Sequence, residues 1–227
     1  MPDTIRLTAA DGHQLAAYRA SAADASAGLV VIQEIFGVNR HMRAVCDAFA
    51  AEGYAAVAPA LFDRVEPGVE LGYGPADIER GKALRGRLDD AAVLLDVAAA
   101  AASLGGLRAG IVGYCFGGTV AWWGATRTPL FAAAVSWYGG GIAGTRSERP
   151  NCPVQMHFGG RDQSIPISDV EAIRAAQPDA EVFIYPEAQH GFGCEERSAF
   201  SPVDYGQAQS RTLAFFAEHL RNAVRED

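Results

Sequence analysis

No apolar run in this 227-residue sequence is long enough to cross a bilayer as a helix, which takes about 20 residues. The opening Met1-Pro2-Asp3-Thr4-Ile5-Arg6 also lacks the basic and then apolar pattern of a secretory signal. A cytoplasmic protein with reduced thiols is expected. Cysteine is scarce: Cys46, Cys115, Cys152 and Cys194 show no CxxC spacing and no histidines at zinc-ligand spacing, so neither a metal nor any other cofactor is expected. Basic charge is short as well. With 19 Lys and Arg against 27 Asp and Glu the net charge is −8, and no Lys/Arg cluster occurs, which argues against nucleic acid and anionic membranes as partners. An anionic small-molecule substrate held by local arginines stays admissible, and the chain is expected to act as a monomer. There is no linker, internal repeat or break in composition, so residues 1–227 are expected to form one domain.

What is present alternates between strand and helix. Ile5–Thr8 and Gln14–Tyr18 flank an Asp11-Gly12 turn and read as an edge hairpin. Gly28–Gln33 and Tyr54–Pro59 are continuous apolar runs, as in parallel strands buried on both faces. Between them, Met42, Val45 and Phe49 recur at helical spacing up to Gly53. Residues 60–75 read as a long loop, and Ala76–Leu104 as one long helix with Leu84, Leu88, Ala91 and Leu95 on a face. Further strands are expected at Arg108–Val112, Phe131–Tyr138, Val154–Phe158 and Val182–Tyr185, with helices at Gly118–Ala125 and along Thr212, Leu213, Phe216, Leu220 and Val224. The pattern predicts a mostly parallel, doubly wound α/β sheet with helices on both faces.

In such sheets the site gathers at the carboxyl ends of the strands. Gly113-Tyr114-Cys115-Phe116-Gly117-Gly118 follows an apolar strand, precedes a helix, and has the form of a nucleophile elbow with cysteine in the usual serine position. Alone, it also fits a small buried hydrophobe in a tight turn. Asp162 follows the strand ending at Phe158, and His190 follows the one ending at Tyr185. Nucleophile, acid and histidine thus appear in the chain order of α/β-hydrolases. A thiol with a pKa of about 8.5 needs an imidazole to take its proton, and the imidazole needs an oriented carboxylate to fix its tautomer. Oxyanion donors are expected from the Phe116 N–H at a helix N-terminus and from Ile35, after an earlier strand. Each residue has a plainer reading too. Asp162 suits a turn and Glu34 a loop carboxylate; Arg80 suits a helix surface. His157 and the three tryptophans suit a core, and His13, His41 and His219 suit turns or helix surfaces, while Tyr138 ends a strand where it can line a pocket.

The segments QEIFGVN (33–39), GYAAVAP (53–59), GYCFGG (113–118), GGRDQSIP (159–166) and AQHGF (188–192) together resemble the dienelactone hydrolase family, over nearly the whole chain. The resemblance implies the α/β-hydrolase fold, a Cys115-Asp162-His190 triad, oxyanion donors at Ile35 and Phe116, and a Glu34 carboxylate that takes the thiol proton when substrate enters. It further implies a hydrolase that opens a lactone bearing a carboxylate through an acyl-thioester. Cleavage of another ester or thioester, or ligand binding without catalysis, are the alternatives. Family members hold the carboxylate with two arginines. Arg80 falls near the first of these positions, while Cys194 stands at the second and Arg197 three residues beyond it.

Overall fold

Small and β-branched residues make the central strands, because a strand covered on both faces by helices has no solvent side on which to place polar groups. The computed structural model describes residues 3–221, and its contacts separate two compact units, Met1–Ala109 and Gly110–Asp227.

In the first unit, β1 (Asp3–Thr8) and β2 (Gln14–Ser21) pair antiparallel around the Asp11-Gly12 turn. β2 pairs antiparallel with β4 (Tyr54–Pro59), and β4 pairs parallel with β3 (Ala27–Ile32). Leu29, Val30, Val31 and Ile32 are fully buried against the helices Arg40–Ala51 and Asp90–Ala102. Helix α1 (Arg40–Ala51) starts where Asn39 accepts a hydrogen bond from the Met42 N–H, and it buries Met42 and Phe49 as their spacing predicts, while Cys46 is buried in place of Val45, which is only half-buried. His41, expected on the helix surface, is buried with them. The long loop after β4 contains one 3-10 turn at Leu61–Arg64.

The single helix expected over 76–104 is two, α2 (Pro75–Arg85) and α3 (Asp90–Ala102). Asp89 accepts from the Ala92 N–H at 2.9 Å and so caps a new helix, while Arg85 reaches Asp90 across the corner at 2.6 Å. Gly86, costly inside a helix, sits at the break. Capping chemistry here prevails over an apolar periodicity that runs on through the bend.

The second unit is a parallel ladder of β5 (Ala109–Tyr114), β6 (Ala133–Trp137), β7 (Val154–Gly159) and β8 (Glu181–Tyr185), in that order. Helix α4 (Phe116–Arg127) packs on β6. Trp122, Trp123 and Trp137 all lie in its core. A short helix α5 (Ile142–Thr145) and α6 (Ile167–Ala176) occupy stretches where no element was expected. The last helix, α7, begins at Pro202, ten residues earlier than expected, and runs to Phe216 before loosening into a π turn over Ala217–Arg221. Val224 lies outside the described residues.

His157 is a core histidine, wholly buried on β7 and held down to a pKa of about 3 by burial and by the charge of Arg211. The unfolded chain binds a proton there below its ordinary value of about 6.5, and the folded chain does not. Its contribution is therefore fully present above about pH 6.5 and is lost as pH falls from there toward 3. Urea midpoints between pH 7.5 and 5 should fall more steeply for the wild type than for His157→Gln; parallel slopes would contradict this assignment.

Candidate active site

The turn between β5 and α4 is built by what its glycines lack. A Cβ on Gly113 would lie 1.9 Å from the Gly117 carbonyl oxygen, and one on Gly118 would lie 2.6 Å from that of Trp137. The two elements can meet only because neither Cβ exists. Between them Cys115 takes φ 56° and ψ −116°, a left-handed backbone conformation that a non-glycine residue adopts only under constraint. Its N–H is tied to the Trp137 carbonyl at 3.0 Å, and its own carbonyl accepts from Gly118 at 3.0 Å. Cys115 is half-buried, and Phe116 opens α4, at the helix end whose amides favour negative charge.

Asp162 follows β7 and divides its carboxylate between two tasks. Oδ1 accepts from the Ser164 and Ile165 amides at 2.7 and 3.1 Å, an Asx turn of the kind that Asp-Gln-Ser suggests. Oδ2, fixed in direction by that turn, accepts from His190 Nδ1 at 2.7 Å. The turn-former reading and the triad reading of Asp162 describe two oxygens of one side chain. With Nδ1 engaged, His190 is left with Nε2 for its hydrogen bond to Cys115.

Burial alone would lower the His190 pKa, yet it is raised to about 10. Interaction with Cys115, hydrogen bonds to Asp162 and Cys115, and the Asp162 charge outweigh desolvation. The geometry therefore suits a protonated His190 held between Asp162 and Cys115.

Main-chain contacts hold the acid and histidine loops together. Gly160 N–H donates to Tyr185 O at 2.7 Å, Arg161 N–H to Ala188 O at 2.9 Å, and Ala188 N–H to Tyr185 O at 3.1 Å. Cβ atoms on Gly159 and Gly160 would stand 2.5 Å from Ala188 O and 2.6 Å from Pro186 O, so the approach is open only to glycine.

Tyr138, expected to line a pocket, is instead completely buried. At φ 40° its ring lies 5.2 Å from that of His190 and 5.5 Å from that of Phe192, as packing beneath the histidine. Arg197 is half-buried with its guanidinium against Gly191, where a Cβ would come 2.4 Å from Nη1. Cys194 is fully buried in the same loop.

Cys115, Phe116, Tyr138, Asp162, His190 and Arg197 thus come from one unit. Glu34, Ile35 and Arg80 belong to the first, where the loop after β3 is firmly set. Glu34 is almost fully buried and Ile35 half-buried. Gln33 donates to the Glu34 carbonyl at 3.2 Å and accepts from the Leu61 N–H at 3.0 Å. A Cβ on Gly81 would meet the Ile35 carbonyl oxygen at 2.1 Å, which places α2 directly against this loop. Arg80, one residue earlier on that helix, is over half exposed and paired with Glu66. Asp-Gln-Ser is a local sequence signal for the amides that orient Asp162, whereas nothing local in the sequence announces the buttress supplied by Gln33.

The family model for "Dienelactone hydrolase family" matches residues 15–220. A protein of Synechocystis sp., provisionally assigned as a carboxymethylenebutenolidase, is 36% identical over 213 residues, 85% of this chain and 86% of that one. One of the same description from Escherichia coli K12 is 35% identical, covering 84% of this chain and 76% of its own. Among solved structures, one from Klebsiella pneumoniae, provisionally assigned as a dienelactone hydrolase, aligns with TM-score 0.82 at 32% identity over 96% of this chain and 99% of that one. The α/β-hydrolase fold that the family resemblance implies is therefore the fold of this chain. Among the described residues no helix is long and apolar enough to cross a membrane.

Proposed function

Because the chain belongs to the dienelactone hydrolase family and is to that extent a hydrolase, we propose that it opens a carboxylate-bearing lactone, or cleaves a related small ester, through an acyl-thioester on Cys115. The observation that carries this reading is the placement of His190 in hydrogen bonds to both Asp162 and Cys115. On substrate entry the Cys115 thiol proton passes to the Glu34 carboxylate, and the thiolate, beside the protonated His190, attacks the carbonyl carbon. The resulting oxyanion is received by the Phe116 N–H and, on the family resemblance, by that of Ile35. Collapse breaks the carbon–oxygen bond, and the imidazolium Nε2–H protonates the departing oxygen. Water then gives a proton to His190 and attacks the thioester, and Cys115 leaves as thiolate to recover the proton.

Glu34 serves as the carboxylate that takes the thiol proton when substrate enters. Arg80 and Arg197 are the cations that hold the substrate carboxylate. Tyr138 supports His190 from below, and the enzyme works as a cytoplasmic monomer without cofactor. A second reading, an uncharged ester or thioester as substrate, is favoured by one observation: Arg80 already has a carboxylate partner in Glu66.

The test is a substrate panel with mass-spectrometric readout of the protein. A dienelactone should be turned over at least tenfold faster than p-nitrophenyl acetate, and quenched samples of either should carry the acyl group on the Cys115 peptide. Acylation with no preference for the anionic lactone would favour the second reading. No acylation of Cys115 by any ester would overturn both.

A further inference from the structure

A polar chain, buried in its middle and ending at an exposed Glu181, crosses the second unit away from the reacting thiol. Arg211 Nη1 donates to Tyr185 Oη at 3.0 Å, and that oxygen lies 3.0 Å from His157 Nδ1. His157 Nε2 lies 2.9 Å from Gln155 Oε1 and 3.1 Å from Thr212 Oγ1, and Gln155 Nε2 donates to Glu181 Oε2 at 2.7 Å.

Donor and acceptor chemistry fixes every direction. A glutamate carboxylate only accepts, so Gln155 turns its N–H groups toward Glu181 and its oxygen toward His157. That oxygen also only accepts, so His157 carries its proton on Nε2. Nδ1 is then a bare lone pair that accepts the Tyr185 hydroxyl, whose oxygen accepts from the Arg211 guanidinium. All the bonds point from the cation to the anion, an arrangement in which each strengthens the next. The neutrality of His157 is part of the same chain, since a second proton on Nδ1 would face the Tyr185 hydroxyl and Arg211.

Tyr185 is where the chain meets the candidate site. It is the last residue of β8, and its carbonyl accepts both from Gly160, two residues before Asp162, and from Ala188, two before His190. Its ring packs 5.0 Å from Phe192, two residues past His190. We propose that the chain from Arg211 through Tyr185 and His157 to Glu181 is a positioning device, which fixes Tyr185 so that its carbonyl and ring hold Asp162 and His190 at hydrogen-bonding distance. The proposal rests on the reading of Cys115, Asp162 and His190 as the reacting groups. Tyr185, His157 and Arg211 are positioning residues within it.

Tyr185→Phe keeps the ring and removes the relay, leaving His157 Nδ1 without its donor. In spectra of protein with isotope-labelled histidine, the His190 Nδ1 proton should exchange faster, and the His190 titration should fall by about one unit from the wild-type position, a shift worth a factor of ten in proton affinity. kcat on p-nitrophenyl acetate should fall about tenfold with KM unchanged. The titratable groups facing His190 are Asp162 and Cys115, with Arg197 against Gly191 and the Arg161–Glu187 pair on the loops beside it. All are retained in the variant, so a moved titration reports geometry. Arg211→Gln, at the half-buried end of the chain, should shift the same signals less and serves if Tyr185→Phe does not fold. A lowered Tm with the His190 titration and kcat both at wild-type values would overturn the proposal and leave the chain a purely structural one. The magnetic resonance readout needs no turnover, so a wild type that hydrolyses no ester would sink the hydrolase reading while this test still stands.

Discussion

Cys115→Ala is expected to lower turnover of any ester by a factor on the order of 10⁴ to 10⁶, the scale seen when a nucleophile is removed from a triad that acts as a unit. The loss should be in kcat, because substrate contacts do not depend on the sulfur. The fold should survive. The elbow is held by Gly113 and Gly118, whose hydrogens face carbonyl oxygens, and by the main-chain bond from residue 115 to Trp137. Alanine occupies the same left-handed conformation with the same constraint and leaves a half-buried gap the size of one sulfur. Steady-state kinetics beside a thermal melt check both halves. An alanine variant with turnover within tenfold of wild type would remove Cys115 from the mechanism, whatever its stability.

Gly113→Ala should be the most destructive single methyl group in the second unit. Its Cβ would stand 1.9 and 2.2 Å from the carbonyl oxygen and carbon of Gly117, and 2.9 Å from the Gly118 nitrogen. All three are main-chain atoms in the first turn of α4, so relief requires moving the helix start away from β5. A loss of more than about 4 kcal/mol is expected, at the extreme end of single substitutions, and with it any alkylation of Cys115 at the wild-type rate. Gly12→Ala is the informative control. Gly12 has φ 84° in the β1–β2 turn and nothing within 4 Å of its added Cβ, so it should lose only about 1 kcal/mol from backbone conformation. Similar urea midpoints for the two variants would mean that the close approach at the elbow does not constrain the chain.

Cys115, Asp162 and His190 were legible as site candidates because each stands a few residues past an apolar run and each has a local signal: glycines around the cysteine, Asp-Gln-Ser at the acid, Gly after the histidine. The break between α2 and α3 was not, since the apolar spacing continues through it and only the cap at Asp89 announces a new helix. Tyr138 read as a wall residue because it ends a strand; its burial depends on Phe192 and His190 arriving from far along the chain. The same holds for Arg80, whose pairing with Glu66 depends on how the long loop folds back. The relay through His157 is invisible in one dimension for a sharper reason. It depends on the β7–β8 register, which sets Gln155 opposite Glu181 and His157 opposite Phe183 and brings α7 over both. Periodicity identifies strands and says nothing of their mutual offset.

The main-chain bonding between the acid and histidine loops separates two kinds of inheritance. Gly160, Arg161, Tyr185 and Ala188 are joined through amides and carbonyls, so the side chains at 161, 163, 187 and 189 take no part in keeping Asp162 beside His190. Arg161, Gln163, Glu187 and Gln189, the outward neighbours of the pair, are all exposed. Selection can therefore exchange these four for other charges and shapes, retuning what approaches the site, while the proton-handling pair stays in register. The loops are a robust frame with an evolvable rim, and diversification of such an enzyme should begin at the rim.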